Sequence, residues 1–135
     1  MNLETATWDE ELLEILEIKK ETLPTIKDSF GDFGKTKGLS FLPDGIPITG
    51  MLGDQQSALF GQAGINKGDM KCTYGTGAFL LLNTGESLQY SHSGLLTTVA
   101  YKHNNKLCYA IEGSCYIAGA AVQWLRDNLE IIKKS

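Results

Sequence analysis

The chain has 135 residues, of which 42% are apolar and 21% charged, so its composition is that of an ordinary globular protein. Its net charge of −4 does not favour binding to nucleic acid or to an anionic membrane. No apolar run reaches the roughly 20 residues that a membrane-spanning helix needs. The cysteines Cys72, Cys108 and Cys115 lack metal-ligand spacing, and we interpret them as reduced core residues of a cytoplasmic protein.

The first predicted element is a helix near the N-terminus. Glu10 follows Thr7 by three residues, as in a capping box. The apolar residues that follow share one helical face: Trp8, Leu12, Leu13 and Leu16. Residues 18–26 predict a short helical turn that ends at Pro24, and the polar, glycine-rich residues 27–45 predict a long loop.

A strand over residues 46–50 and a helix over residues 54–64 are predicted next, with Asp54 near the helix start. A carboxylate at this position is most often a helix cap, which the helix dipole favours. It also suits a general base, which needs a carboxylate within reach of a hydroxyl group. The neighbouring Gln55 amide suits a second hydroxyl of the same polyol, whereas Gln56 is best interpreted as a structural hydrogen-bonding residue. Both interpretations of Asp54 stay open here.

Four strands are predicted in the second half of the chain, in two hairpins. The first hairpin turns at the sequence YGTG, Tyr74 to Gly77, and the second turns at HNNK. The Gly-Thr-Gly turn has two interpretations. It is a hairpin turn that needs a positive φ, or a nest of outward-pointing amides that binds phosphate oxygens.

A helix with one apolar stripe is predicted at the end of the chain, and we expect this stripe to pack on the sheet. Its members are Ala118, Ala121, Val122, Leu125, Leu129 and Ile132. Gly119 leaves space at the helix start, either for a ligand or for close helix packing, and Gln123 lies one turn later on the same face. Hairpins that lead into a helix predict an α/β or α+β unit, with a domain boundary near residues 64–68.

Five stretches together resemble the FGGY family of carbohydrate kinases, and especially its members that phosphorylate glycerol. The stretches are GDQQSALFGQ, TYGTGAFLLLNTG, GLLTTVAY, YAIEGS and AGAAVQWLRD, and they follow the family's order and spacing. The resemblance implies an α/β, ribonuclease-H-like fold, as in actin and hexokinase, with two domains around a cleft. Residues 1–63 would form the C-terminal part of the first domain, and residues 64–135 would form the first part of the second domain. Because the family's chains are several times longer, we expect an internal fragment that is inactive alone.

On the acceptor side, the resemblance implies that a phosphoryl group passes from ATP to the terminal hydroxyl of glycerol. Asp54 would be the catalytic base and a glycerol ligand, Gln55 a second glycerol contact, and Phe79 an apolar wall beside the carbon chain. The remaining alternatives are a kinase for another polyol or ketose and a non-catalytic remnant that binds nucleotide.

On the nucleotide side, the resemblance implies that ATP binds with Mg²⁺ in the cleft. Gly75 and Thr76 would meet the phosphates, and Gly119 and Gln123 would lie nearby. No residue of this chain is expected to ligate a metal directly. The expected small-molecule partners are glycerol and ATP, without nucleic acid or a membrane span, and we expect the complete protein to be a homo-oligomer.

Overall fold

Four antiparallel strands and three α-helices are formed by residues 1–134, the part of the chain that the computed structural model describes. The strands lie side by side in the order β1-β2-β4-β3. Their bounds are Met70–Tyr74 for β1, Ala78–Gly85 for β2, Leu96–His103 for β3 and Lys106–Cys115 for β4. The helices are α1 at Glu10–Ile15, α2 at Asp54–Gly61 and α3 at Gly119–Asp127, with a short 3-10 turn at Lys20–Thr22.

Both predicted hairpins are confirmed. β1 and β2 pair from Met70 opposite Leu82 to Tyr74 opposite Ala78, so residues 75–77 form the connecting turn. β3 and β4 turn at Asn104 and Asn105, whose φ angles of 48° and 63° are positive. Asparagine tolerates this left-handed region, which two-residue hairpin turns require.

The core lies between α2 and one face of the sheet. Leu59 of α2 and Leu81 of β2 are almost fully buried and pack with Ala100, Cys108 and Ala110. The opposite face is partly covered by the N-terminal segment, where the Tyr109 hydroxyl donates to the carbonyl of Leu3 at 2.8 Å. The core position predicted for the cysteines holds for Cys108 alone, because Cys72 and Cys115 are exposed.

The connection from α2 to β1 is fastened to the sheet by a buried amide. The side chain of Asn83, in β2, donates to the carbonyl of Gly64 at 3.0 Å, and the backbone of Asn83 accepts from Gly68 at 2.8 Å. α2 itself ends with Ala63 at φ 59° and with the amide of Gly64 donating to the carbonyl of Leu59, which is the Schellman pattern. The position of α2 on the sheet is therefore fixed at its C-terminal end.

The N-terminal helix exists, but its predicted cap and apolar face are wrong. Asp9, not Thr7, is the N-cap, and its carboxylate accepts from the amide of Leu12 at 3.1 Å. Among the predicted face residues of α1, Leu13 is buried, whereas Leu12 is 47% exposed and Leu16 is 61% exposed. A helix of only six residues presents too little surface to bury all of them at once.

The loop predicted for residues 27–45 is in fact paired with the strand predicted for residues 46–50. Amides of Gly31, Phe33 and Thr36 donate to carbonyls of residues 46–49 at 2.9–3.0 Å. The base of this irregular hairpin docks on β3, where the amide of Ser29 donates to the carbonyl of Lys102 at 2.7 Å. Positive φ angles at several of its glycines interrupt the side-chain alternation that would have predicted a strand.

The apolar stripe of the last helix does not pack on the sheet, so that prediction is wrong. None of the residues of α3 is buried, and the helix ends at Asp127, before Leu129 and Ile132. The start of α3 instead rests on the turn between β1 and β2, where the amide of Gly119 donates to the carbonyl of Gly75 at 3.0 Å. The helix therefore contacts the sheet through backbone hydrogen bonds to the β1–β2 turn, and not through its apolar side chains.

The stability of the contact between the irregular hairpin and the β3–β4 turn depends on pH through Asp28. Its carboxylate accepts from the Asn105 amide at 3.1 Å and lies 3.5 Å from the Lys102 ammonium. The hydrogen bond from Asn105, helped by Lys102, lowers the pKa of Asp28 below its usual 3.8. Because the folded pKa is lowered, this stabilisation is present above pH 3.8 and is lost as the pH falls through the folded pKa.

We therefore expect the Asn105 amide resonance to shift as the pH is lowered through this range, and the amide of Ser29 to exchange faster with solvent. In Asp28→Asn the fast exchange should already be present at neutral pH. Asp32→Asn is the matched control, because Asp32 accepts from the amide of Gly34 within the same hairpin and from no other group of residues 1–134. Equal exchange rates for Ser29 in both variants at neutral pH would contradict this role of Asp28.

Candidate functional site

Asp54 is the first residue of α2 and its side chain is exposed. The N-cap is Gly53, which has no side chain to bond the helix end, so Asp54 does not occupy the cap position. One carboxylate oxygen accepts from the amide of Gln55 at 2.8 Å. Among residues 1–134 the other oxygen has no hydrogen-bond partner, so it is open to accept one from a ligand hydroxyl.

Lys71 is a further site residue that sequence reasoning missed. It lies in β1 with only 3% of its surface exposed. Its ammonium donates to the side-chain carbonyl of Gln55 and to the hydroxyl of Thr73, the latter at 2.8 Å. Burial lowers the pKa of Lys71, and the nearby acidic groups Asp54 and Glu112 partly oppose this shift, as does Cys72. The only sequence signal was a lysine at an inward position of a strand.

Phe79 lies on the same face of the sheet as this polar group. Thr73 stands directly opposite Phe79 in the β1–β2 pairing, and Lys71 stands opposite Leu81. Side chains opposite each other in antiparallel strands are roughly 5 Å apart at Cβ. The half-buried ring of Phe79 also contacts Tyr116 edge to face, with centroids 6.5 Å apart. An aromatic surface therefore lies beside the Thr73 hydroxyl, which is itself bonded to Lys71.

Gln56 points towards the neighbouring strand β3. Its side-chain amide is placed to donate to the carbonyl of Val99 in β3, at 3.5 Å. This contact agrees with the structural interpretation made from the sequence.

The turn of Gly75, Thr76 and Gly77 is held against the start of α3 by backbone hydrogen bonds. The carbonyl of Gly75 accepts from Gly119, and the carbonyl of Thr76 accepts from Ala118 and Ala120, at 2.8–3.1 Å. Gly75, Thr76 and Gly119, predicted to act together, are therefore in direct contact. Gln123 is one turn further along α3 and is exposed.

Glycine is needed in this turn because of close packing and not because of backbone angle. Neither Gly75 nor Gly77 has a positive φ. A Cβ at Gly77 would lie 2.7 Å from the carbonyl oxygen of Cys115, and one at Gly119 would lie 2.4 Å from that of Gly75. The amide of Gly75 donates to Gly77, so the three amides do not all point outward; those of Thr76 and Gly77 have no partner within residues 1–134.

Four of the predicted site residues lie on exposed surface. Asp54, Gly75, Thr76 and Gln123 are all exposed. A cleft of about 500 Å³ lined by Trp8, Pro24 and Lys102 is elsewhere on the molecule. In the described part of the chain no three His, Cys, Asp or Glu side chains are grouped to hold a metal ion, and no helix is long and apolar enough to cross a membrane.

Comparison with known proteins matches almost the whole chain to two adjacent domains. Residues 1–61 match the N-terminal domain of the FGGY family of carbohydrate kinases, and residues 70–135 match its C-terminal domain. The glycerol kinase of Bdellovibrio bacteriovorus is 56% identical over 136 residues, which is 100% of this chain and 28% of that protein. That of Staphylococcus epidermidis is 52% identical over 99% of this chain and 27% of its own length. The chain thus spans a little over a quarter of these relatives.

Solved structures give the same result for the fold. The Plasmodium falciparum glycerol kinase with ADP superposes with a TM-score of 0.89 at 47% identity, over 99% of this chain and 27% of that one. The xylulose kinase from Rhodospirillum rubrum superposes with a TM-score of 0.69 at 24% identity, over 93% of this chain and 25% of that one, which shows the fold alone. The predicted class, an α/β fold of the actin- and hexokinase-like ATPases, is confirmed for this part of the fold.

Proposed function

The chain belongs to the FGGY family of carbohydrate kinases, and from this premise we propose that its protein transfers a phosphoryl group from ATP to glycerol, yielding glycerol 3-phosphate and ADP. One observation carries the proposal. The open carboxylate oxygen of Asp54 stands next to Gln55, whose carbonyl is held by a buried lysine. Glycerol kinases that are 50% and 56% identical to this chain support glycerol as the acceptor.

On the acceptor side, we propose that Asp54 takes the proton from the attacking hydroxyl of glycerol. Phosphoryl transfer needs little covalent chemistry from the protein, so the position of the acceptor and the stabilisation of charge matter most. Gln55 would hold a second hydroxyl, and the ring of Phe79 would pack against the carbon chain. These roles are supported by the shared sheet face of Phe79 and Thr73 and by the bonds from Lys71 to Thr73 and Gln55.

On the nucleotide side, we propose that Gly75 and Thr76 contact the phosphates of ATP, with Gly119 and Gln123 beside them. The close backbone packing of the turn on α3, and the amide of the exposed Thr76, which has no partner within residues 1–134, fit a phosphate group. ATP supplies the phosphoryl group, and Mg²⁺ would neutralise the charge on its phosphates. We propose that the ion is held mainly by these phosphates.

We further propose that residues 1–63 belong to the first domain of the kinase and residues 64–135 to the second. The matches that end at residue 61 and resume at residue 70 support this division. A cytoplasmic location is supported by the three unpaired cysteines, Cys72, Cys108 and Cys115. We propose, from the family resemblance alone, that the complete protein is a homo-oligomer.

The proposal is tested by ADP release from the full-length protein that carries this chain, with glycerol, xylulose and gluconate in parallel. We expect the highest kcat/KM for glycerol. A higher value for another substrate would leave the family and mechanism in place and overturn the choice of acceptor. Binding of Mg-ATP without turnover on any of the three would favour the alternative of a nucleotide-binding remnant.

A further inference from the structure

We propose that Lys71 is a positioning residue of the acceptor site: by holding the carbonyl oxygen of Gln55, it turns the Gln55 NH₂ group towards the ligand as a hydrogen-bond donor. The inference rests on the proposed function and deepens it, because it assigns a role to a residue outside the expected site and a direction to the Gln55 contact.

The environment of Lys71 is unusual for a buried cation. Lysine is almost never fully buried unless it is paired with an acid. Among residues 1–134, however, Lys71 makes no ion pair: Asp54 and Glu112 are near enough to oppose the shift of its pKa but not to pair with it directly. Its ammonium donates instead to two neutral oxygens, on Gln55 and Thr73. A neutral apolar residue would be easier to bury here. The lysine is therefore best explained by what it does to its partners.

An ammonium group can only donate hydrogen bonds, and this fixes the orientation of the Gln55 amide. A glutamine side chain has one carbonyl acceptor and one NH₂ donor, which are hard to distinguish by shape. Because Lys71 donates to the side-chain carbonyl of Gln55, the NH₂ group of Gln55 must point the other way. This NH₂ group has no hydrogen-bond partner within residues 1–134 and is free to donate to a ligand. Gln55 thus offers donors, whereas the open oxygen of Asp54 is an acceptor.

The acceptor of Asp54 and the donor of Gln55 suit two hydroxyl groups on adjacent carbons, that is, a vicinal diol. One hydroxyl donates its proton to Asp54, and the oxygen of the next hydroxyl accepts from Gln55. An acceptor ligand with a carbonyl oxygen beside its reactive hydroxyl would fit the same arrangement. Gln55 lies in the segment that matches the N-terminal domain and Lys71 in the segment that matches the C-terminal domain. The orientation of Gln55 therefore depends on contact between the two segments.

The test is Lys71→Met in the full-length protein, with Lys106→Met as the matched control. Lys106 is an exposed lysine of the same sheet, paired with Glu86. We expect Lys71→Met to raise the KM for glycerol by about 3- to 10-fold, the usual effect of one hydrogen bond, with little change in the KM for ATP. A lysine with a merely structural role would lower the active fraction and leave both KM values unchanged.

A second variant, Gln55→Glu, separates the direction of the hydrogen bond from the presence of Lys71. It keeps a partner for the ammonium but replaces the NH₂ donor with an acceptor. We expect a KM for glycerol at least as high as that of Lys71→Met, with a midpoint of thermal unfolding no lower than that of the unchanged protein. A normal KM in this variant would overturn the donor role of Gln55.

A readout that does not need turnover distinguishes failure of this inference from failure of the proposed function. The side-chain amide resonances of Gln55 should shift in Lys71→Met and stay in place in Lys106→Met. If no acceptor is phosphorylated but this shift occurs, the proposed function fails and the positioning contact stands. If glycerol is phosphorylated but neither the shift nor the KM change is found, the role of Lys71 is wrong.

Discussion

Replacing Asp54 with asparagine is expected to lower kcat for glycerol phosphorylation by about 10²–10⁴-fold, the usual contribution of a general base. The amide keeps the shape of the carboxylate and can still accept from the Gln55 backbone, as Asp54 does at 2.8 Å. What it loses is the ability to take a proton with its second oxygen. Steady-state rates of ADP release from the full-length protein, with and without the substitution, measure the effect.

The control for Asp54→Asn is Asp32→Asn, which removes the same charge at an exposed position that, among residues 1–134, accepts from Gly34 alone. It should leave kcat unchanged. A loss of less than 10-fold in Asp54→Asn, accompanied by a higher KM for glycerol, would mean that Asp54 binds the acceptor without acting as the base. The thermal unfolding midpoint should change little in either variant, because both side chains are exposed.

The parts of the fold that local sequence determines were predicted correctly. The turn at Asn104 and Asn105 needs residues that accept a positive φ, and asparagine provides this in both positions. The start of α2 at Asp54 follows from equally local chemistry. The turn at Gly75 to Gly77 was also placed correctly, although its glycines are needed for packing against distant backbone and not for a positive φ. The contact between Gly75 and Gly119 was expected from the family resemblance, since no local pattern joins positions 44 residues apart.

Features that depend on distant partners could not be predicted from the sequence. Lys71 is buried because the register of β1 on β2 places it opposite Leu81, and composition alone would put a lysine in solvent. The hairpin of residues 29–51 was missed because its pairing is irregular and its base is held by Lys102, far along the chain. A pattern of apolar residues shows which surface can be buried but not what will cover it, as the exposed stripe of α3 illustrates.

Gly119→Ala is expected to raise the KM for ATP by roughly 5- to 150-fold, which corresponds to the 1–3 kcal/mol that overpacking usually costs. The added Cβ would lie 2.4 Å from the carbonyl oxygen of Gly75. The Cβ is attached to the backbone at the start of α3 and the oxygen belongs to the backbone of the turn, so neither can rotate out of the way and the turn must move away from α3. Since Gly75 and Thr76 are the proposed phosphate contacts, the displacement should weaken nucleotide binding and leave the KM for glycerol nearly unchanged.

Gly61→Ala provides the matched control for Gly119→Ala, because a Cβ at this last residue of α2 would meet nothing within 4 Å. That substitution should stabilise the fold by about 0.5–1 kcal/mol through the better helix propensity of alanine, and it should leave both KM values unchanged. If Gly119→Ala behaves in the same way, the turn can adjust without loss, and its close packing on α3 does not govern ATP binding. A rise in both KM values together would instead indicate that the two sides of the site are coupled through β1, which carries Lys71 and Thr73 and leads directly into the turn.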